Sequence, residues 1–183
     1  MRRAVAAFAA SVLATLMAAA SPFPIAIEAD FDLIGPQGRV TDEDMRGRPV
    51  ALFFGYANCE SICTVALPRM AKALEILGED GGPIQPVMIT VDPARDTPEA
   101  LAVAMPRWHP RFLGLTGDES ALSAALEAFQ VDVQVVAHDP VGQPIYAHGS
   151  FIYLIGPDGV VKTVMPPILA PERIAELMRK HLL

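Results

Sequence analysis

Basic residues are scarce in this chain of 183 residues, which has 14 lysines and arginines against 21 acidic residues and a formal net charge of −7. No cluster of basic residues follows Arg2 and Arg3. Nucleic-acid binding needs a basic stripe that replaces the counterions of the phosphate backbone. The composition therefore argues against DNA and RNA as partners, whereas acidity alone identifies no other partner.

Cysteine is also rare, because the chain has only Cys59 and Cys63. Two sulfurs leave a zinc site incomplete, and no H-x-x-x-H pattern or cluster of Asp, Glu and His supplies the missing ligands. The sequence shows no internal repeat and no low-complexity tract. Because 52% of the residues are apolar and are spread along the chain, we expect one globular domain rather than a repeat array or a disordered protein.

The N-terminal segment has the features of an export signal. Arg2 and Arg3 precede an uncharged run over residues 4–20 that ends in small residues. The run is slightly shorter than the roughly 20 apolar residues that span a bilayer, and its Ala-rich composition favours cleavage over anchoring. We therefore expect residues 1–24 to be a signal peptide or an N-terminal membrane anchor, and residues 25–183 to be one exported domain.

Apolar runs and helical periodicities alternate along the rest of the chain. Strands are predicted over residues 49–54, 86–91 and 112–116, and β-hairpins over residues 31–40 and 151–165. Helices are predicted from residue 62 to residue 77 and after the start signals at Thr97, Asp118 and Pro171. This order predicts a thioredoxin-like α/β fold with a mixed central sheet, flanking helices and an N-terminal β-hairpin.

The two cysteines lie between the predicted central strand and the helix that follows it. Ligands bind at this end of the strands in α/β sheets, and a helix N-terminus stabilises a thiolate. The spacing places the sulfurs of Cys59 and Cys63 about one helical turn apart, which suits a reversible disulfide or two bonds to one metal ion. The pattern alone leaves a structural disulfide, thiol redox chemistry and metal binding as alternatives.

Histidine would complete a metal site that has only two cysteines, and two thiolates with one imidazole suit copper. His148 stands in a loop before the hairpin at residues 151–165, and such a loop can return to the cysteine edge of the sheet. Because Gly149 has no side chain, it would permit the backbone to approach the cysteines closely at this point. His109, His138 and His181 fit ordinary positions, and we assign no function to them.

Several longer motifs carry a family resemblance. They are Phe53-Phe54-Gly55-Tyr56 with the two cysteines, Val91-Asp92-Pro93-Ala94-Arg95-Asp96-Thr97-Pro98, Leu115-Thr116-Gly117 and His148-Gly149-Ser150-Phe151. From about Ile25 to its C-terminus, the chain resembles the Sco/SenC copper chaperones that serve the assembly of cytochrome c oxidase. The resemblance implies a thioredoxin-like fold and one copper ion held by Cys59, Cys63 and His148.

The resemblance also implies a location and partners. Many members are attached to the outer face of the cytoplasmic membrane, so we expect this protein there or in the periplasm. The implied partners are a copper acceptor, such as the copper subunit of cytochrome c oxidase, and a chaperone that donates copper. Asp92 matches an acidic position near the family's site, where it would support the metal ligands; its alternative role is to cap the turn before Pro93. We expect Arg95 and Asp96 to form a salt bridge within this loop.

Three positions depart from the family pattern. Proline commonly follows each cysteine, but Glu60 and Thr64 stand here, and an acidic residue commonly precedes the histidine, where this chain has Ala147. A carboxylate near the site would tune the imidazole or the metal. The departures therefore bear on copper affinity and redox state, while the three ligands themselves are retained.

Two functions are compatible with these residues. A metallochaperone would capture copper with all three ligands and pass it on by ligand exchange. A thiol-disulfide oxidoreductase would use only Cys59 and Cys63 to keep the acceptor's cysteines reduced. A peroxidase of the peroxiredoxin type is disfavoured because Ala57 and Asn58 precede the first cysteine, and a purely structural disulfide is the remaining alternative.

Overall fold

A computed structural model describes residues 27–183 of the chain. The predicted signal peptide or membrane anchor at residues 1–24 lies outside the described residues. None of the helices in the described residues has the length and hydrophobicity of a membrane span.

Strands and helices alternate through this region. The strands are β1 (Asp32–Gly35), β2 (Gly38–Thr41), β3 (Val50–Gly55), β4 (Gln85–Thr90), β5 (Leu113–Leu115), β6 (Val133–His138), β7 (Pro144–His148), β8 (Ile152–Ile155) and β9 (Val161–Met165). The helices are α1 (Asp42–Met45), α2 (Cys63–Leu77), α3 (Pro98–Ala104), α4 (Glu119–Ala128) and α5 (Pro171–Leu182), with a 3₁₀ turn at Met105–Arg107 after α3.

A five-stranded sheet with the order β5-β4-β3-β8-β9 forms the centre of the domain. β3 pairs parallel with β4 and antiparallel with β8, so the sheet is mixed. All six residues of β3 are buried, as expected of a strand that is covered on both faces and has a continuous apolar sequence. The predicted thioredoxin-like architecture, with a mixed central sheet, flanking helices and an N-terminal hairpin of β1 and β2, is confirmed.

The helix boundaries follow their capping residues. The Thr97 hydroxyl accepts a hydrogen bond from the Ala100 N–H at the start of α3, and the Asp118 carboxylate accepts one from the Ala121 N–H at the start of α4. α2 ends at Gly78, whose φ of 58° favours glycine. All three boundary predictions are confirmed. α2 packs against α5, while α3 packs against β5.

The hairpin of β6 and β7 was not predicted from the sequence. Within residues 27–183 these strands pair only with each other, and they form a two-stranded sheet beside the central one. Oδ1 of Asp139 accepts hydrogen bonds from the N–H groups of Val141 and Gln143, at 2.9 and 2.8 Å, and closes the turn. Gly142 has a φ of 83° in this turn. His148 is therefore the last residue of β7, and our assignment of it to a loop was wrong.

The pairing of β8 with β3 brings this hairpin to the cysteines. The two strands are antiparallel, and Ile152 at the start of β8 lies opposite Phe53 near the carboxyl end of β3. The chain that leads into β8 therefore arrives at the edge of the sheet where the cysteine segment begins. The predicted return of His148 to this edge is confirmed by contacts of its ring with Phe53 and Tyr56.

Candidate metal centre

Cys59 lies in the loop that joins β3 to α2, and Cys63 follows at the start of the helix. The N–H of Cys59 donates to the Tyr56 carbonyl at 3.2 Å, and Cys63 is the first residue of α2. Both are free thiols, 6% and 2% exposed. A Cβ atom at Gly55 would lie 3.0 Å from the Cys63 sulfur, so glycine gives this sulfur its room at the end of β3. We call residues 56–62 the cysteine loop.

The two thiols have pKa values that are shifted in opposite directions. A hydrogen bond from the Cys63 thiol is the largest cause that lowers the pKa of Cys59 to about 4, against the opposing effect of burial. The backbone N–H groups of Cys63 and Ser61 lower it further, and the His148 ring lies beside Cys59. The same interaction with Cys59, together with burial, raises the pKa of Cys63. Cys59 is thus the thiolate of the pair, and Cys63 keeps its proton.

The N-terminus of α2 explains part of this asymmetry. Its N-cap residue is Ile62, which has no side chain that can accept a hydrogen bond from the first turn. The N–H groups of Thr64 and Val65 donate to the carbonyls of Ser61 and Ile62, whereas the N–H of Cys63 donates to the Cys59 thiolate at the positive end of the helix. The predicted stabilisation of a thiolate at the helix N-terminus agrees with this arrangement.

His148 presents a free nitrogen in the same region. Its Nδ1 lies 3.1 Å from the carbonyl oxygen of Gly149, and because a carbonyl only accepts, Nδ1 carries the proton in this contact. Nε2 is then unprotonated in the neutral ring, and it is buried without a hydrogen-bond partner among the described residues. Metal-binding histidines commonly donate their other nitrogen to a backbone carbonyl in this way. The orphaned Nε2 therefore fits a metal ligand.

The three predicted ligands are neighbours, but they do not form a closed coordination sphere. Among residues 27–183, no three side chains of His, Cys, Asp or Glu lie close enough together to hold a metal ion. The donor set of two sulfurs and one imidazole nitrogen nevertheless suits copper, which accepts low coordination numbers. Cys59, Cys63 and His148 would have to approach one another further to bind one ion.

Two tyrosines, Tyr56 and Tyr146, also belong to this region, and the sequence had not indicated Tyr146. The Tyr56 ring meets the rings of Tyr146 and His148 edge to face, with centroid distances of 5.5 and 6.3 Å. Tyr146 and His148 are two residues apart on β7 and therefore share its inner face. If β7 had been recognised as a strand in the sequence, Tyr146 would have been identified as well, because residues two positions apart, such as Tyr146 and His148, lie on the same face of a strand.

The contacts of Asp92 are compatible with its expected role of supporting the metal ligands. Its carboxylate is 1% exposed and forms a salt bridge with Nε of Arg95. Its other oxygen lies 3.5 Å from the hydroxyl of Tyr146, a long hydrogen bond. The carbonyl of Asp92 also accepts hydrogen bonds from the N–H groups of Arg95 and Asp96 in the turn after β4. Asp92 thus both closes this turn and reaches the tyrosines beside the site.

The predicted salt bridge between Arg95 and Asp96 is wrong. Oδ2 of Asp96 accepts hydrogen bonds from the Thr90 hydroxyl at 2.6 Å and from the Ala57 N–H at 2.9 Å, so this carboxylate is directed into the protein. Arg95 is directed to the other side, toward Asp92 and the β6–β7 hairpin. Although Arg95 and Asp96 are adjacent in this turn, their side chains therefore point in different directions and have different partners.

The positions that depart from the family pattern are exposed. This holds for Glu60, Thr64 and Ala147. The Thr64 hydroxyl donates to the Ser61 carbonyl at 2.6 Å, whereas Ala147 lies on the outer face of β7, opposite His148. His109 and His181 lie on other segments, and His138 is an exposed residue of β6.

Comparison with known proteins assigns the chain to a family. The SCO1/SenC family model matches residues 19–183. A SCO2-like protein of Rickettsia conorii is 35% identical over 160 residues, which is 86% of this chain and 78% of that protein. The human mitochondrial protein SCO2 homolog is 34% identical over 158 residues, or 85% of this chain. The chain spans only 59% of the length of this human relative and of its bovine counterpart.

Solved structures give the same result. A structure of ScoI from Bradyrhizobium japonicum with copper bound superposes with a TM-score of 0.77 at 29% identity, covering 85% of this chain and 99% of that chain. The solution structure of apo Sco1 from Thermus thermophilus has a TM-score of 0.76, also at 29% identity, and covers 86% of this chain and 92% of that chain. In sequence and in fold, the chain belongs to the SCO1/SenC family.

Proposed function

We propose that this protein is an exported metallochaperone that binds one copper ion through Cys59, Cys63 and His148 and passes it to an acceptor protein. The observation that carries the proposal is the buried Nε2 of His148, which has no partner among the described residues and lies beside the cysteine pair. The related ScoI protein of Bradyrhizobium japonicum, solved with copper bound, supports the choice of metal.

The two thiols would contribute differently to binding. Cys59 is already a thiolate at neutral pH, so it offers a charged sulfur without losing a proton. Cys63 must release its proton when it binds the metal, because the hydrogen bond with Cys59 and burial raise its pKa. Copper binding would therefore release a proton and become tighter as the pH rises. A site with only three ligands also leaves room for a ligand of the acceptor to enter before the ion departs.

A cleft beside the cysteine loop offers an acceptor access to the site. It has a volume of about 700 Å³ and lies between this loop and the β6–β7 hairpin, with Tyr56, Glu60 and Pro144 among its lining residues. Glu60 is next to Cys59 in the chain, so a protein docked in this cleft would lie close to the metal. We propose the copper subunit of cytochrome c oxidase as the acceptor and a second chaperone as the source of copper.

Export by residues 1–24 would place the domain in the periplasm or at the outer face of the cytoplasmic membrane. The test is to fuse this segment to a reporter enzyme that is active only after export, with Arg2 and Arg3 intact. Reporter activity is the expected result. The mass of the mature protein then distinguishes a cleaved signal peptide from a membrane tether, and an inactive, cytoplasmic reporter would contradict export.

Copper titration of the reduced protein tests the metal site. We expect one equivalent of tightly bound copper in the wild type and loss of strong binding in His148→Ala. The matched control is His138→Ala, because His138 is an exposed residue of the same hairpin, and this variant should bind copper like the wild type. Absence of tight copper binding in the wild type would overturn the metallochaperone proposal.

Thiol-disulfide exchange is the second candidate function, and the opposite pKa shifts of the two cysteines favour it. The Cys59 thiolate would attack a disulfide of the acceptor and release one acceptor thiolate. Cys63, after losing its proton, would then attack the Cys59 sulfur and release the other. The acceptor gains two electrons, a Cys59–Cys63 disulfide forms, and an external dithiol restores the pair. His148→Ala should retain this exchange, whereas Cys59→Ser should abolish it.

A further inference from the structure

Arg95 links three separate segments beside the candidate metal centre. Its guanidinium forms a salt bridge with Asp92, which follows β4, and Nη2 donates to the Pro144 carbonyl at 2.8 Å, at the start of β7. The same guanidinium lies 5.6 Å from the ring centroid of Tyr56 in the cysteine loop, a cation–π distance. One side chain therefore contacts the cysteine loop, the turn after β4 and the strand that ends at His148.

The β6–β7 hairpin needs such contacts because its strands do not join the central sheet. Within residues 27–183, β6 and β7 are hydrogen-bonded as strands only to each other. Two side-chain hydrogen bonds connect β7 to the turn after β4: the one from Arg95 to the Pro144 carbonyl, and the long one from the Tyr146 hydroxyl to Asp92. The position of His148 relative to the cysteines therefore depends on side-chain contacts.

We propose that Arg95 is a positioning residue that holds the His148-bearing hairpin against the cysteine loop and thereby sets the strength of metal binding by the three ligands. Asp92 orients the guanidinium and also accepts the long hydrogen bond from Tyr146, so it supports the hairpin both through Arg95 and directly. This inference rests on the proposed function for the identity of the bound metal. The contacts that Arg95 makes do not depend on the proposed function. Because the three ligands must approach further to bind one ion, a small displacement of the hairpin would change the affinity directly.

Arg95→Lys is the first variant, because lysine keeps the positive charge beside the buried carboxylate. A single ammonium group lacks the planar fork that reaches Asp92 and Pro144 at once. We expect copper affinity to fall by about 10- to 100-fold at unchanged stoichiometry, as is usual when a group that orients a ligand is lost. The thiolate-to-copper charge-transfer absorption of the Cu(II) form should shift as well. Arg39→Lys is the control, since Arg39 forms an exposed salt bridge with Asp32 within the N-terminal hairpin of β1 and β2.

Hydrogen exchange without copper provides a second readout. In Arg95→Lys, the amides of residues 133–148 should exchange about tenfold faster than in the wild type, while those of β3 and β4 keep their protection. Asp92→Asn gives an independent route if Arg95→Lys does not fold. It leaves Arg95 in place, removes the charge that orients it, and should change both readouts in the same direction.

The outcomes separate this inference from the proposed function. If the wild type binds no copper, the proposed function fails, and the exchange of the hairpin amides alone decides the role of Arg95. Faster hairpin exchange together with weaker copper binding supports the inference. Unchanged exchange of the hairpin amides in a folded variant overturns it, even if copper binding weakens, because Arg95 would then act through its charge alone. Wild-type copper affinity in a variant with faster hairpin exchange also overturns it.

Discussion

Gly55 packs directly against Cys63 at the end of β3. A Cβ atom on Gly55 would lie 3.0 Å from the Cys63 sulfur and 2.8 Å from a ring carbon of Phe53, and both distances are too short for undisturbed packing. We expect Gly55→Ala to lower the free energy of unfolding by about 1–3 kcal/mol, as overpacking in a core does. It should also displace Cys63 and weaken copper binding. Urea unfolding and copper titration measure the two effects.

Gly149 provides the matched comparison on the other side of the site. A Cβ atom there would meet Val131 at 3.4 Å, an ordinary contact, so the close approach that we expected of Gly149 is not needed in this structure. Gly149→Ala also keeps the carbonyl that accepts from His148. This variant should unfold like the wild type to within about 0.5 kcal/mol. If Gly149→Ala were as damaging as Gly55→Ala, the steric account of both positions would be wrong.

The two thiols should ionise in separate steps. The pKa of Cys59 is lowered to about 4, chiefly by the hydrogen bond from Cys63, so one thiolate per chain should persist in the reduced, metal-free protein until the pH approaches this value. The ultraviolet absorption of the thiolate, followed through an acid titration, measures the step. Cys59→Ser should remove it, and Cys63→Ala should move it to higher pH because the main hydrogen-bond donor is lost. Joint ionisation of both thiols near 9.0, their ordinary value, would contradict the proposed asymmetry.

Asp96 should make the folded state less stable as the pH rises. Burial raises its pKa above 3.8, so the native state holds this proton at pH values where the unfolded chain has lost it. Stability linked to Asp96 is therefore greatest below 3.8 and declines as the pH rises through the native pKa. Relative to Asp96→Asn, the wild type should lose unfolding free energy as the pH rises from 3.8 through the raised native pKa of Asp96. Urea unfolding of both proteins measures this difference, and a pH-independent difference would show that Asp96 does not titrate abnormally.

The central sheet could be predicted from the sequence because its strands are buried. β3 and β4 are continuous apolar runs between turn signals, and helix α2 has its apolar stripe and a glycine stop. The β6–β7 hairpin was missed although Val131-Asp132-Val133-Gln134-Val135 has the apolar–polar alternation of a strand; we did not interpret this pattern as a strand, and most residues of β6 are exposed rather than part of the core. Its clearest signal was the Asp139-Pro140-Val141-Gly142 turn, which we did not recognise.

The ligand residues could be found from the sequence, but their surroundings could not. Chain order and strand direction are enough to bring His148 to the cysteine edge. The ion-pair partner of Arg95 depends on the direction in which each side chain of this tight turn points. Because Asp96 is adjacent in sequence, we predicted it as the partner, but Arg95 binds Asp92 instead. The contact of Arg95 with Pro144 joins residues 49 positions apart, for which the local sequence has no signal.

X-ray absorption at the copper edge of the Cu(I)-loaded protein tests the central claim most directly, because it reports the atoms bound to the metal. If Cys59, Cys63 and His148 hold one ion, the spectrum should fit two sulfur ligands and one imidazole nitrogen in the wild type and in His138→Ala. His148→Ala should lose the nitrogen and keep the sulfurs. A wild-type spectrum without sulfur ligands, or an imidazole contribution that persists in His148→Ala, would contradict the three-ligand site.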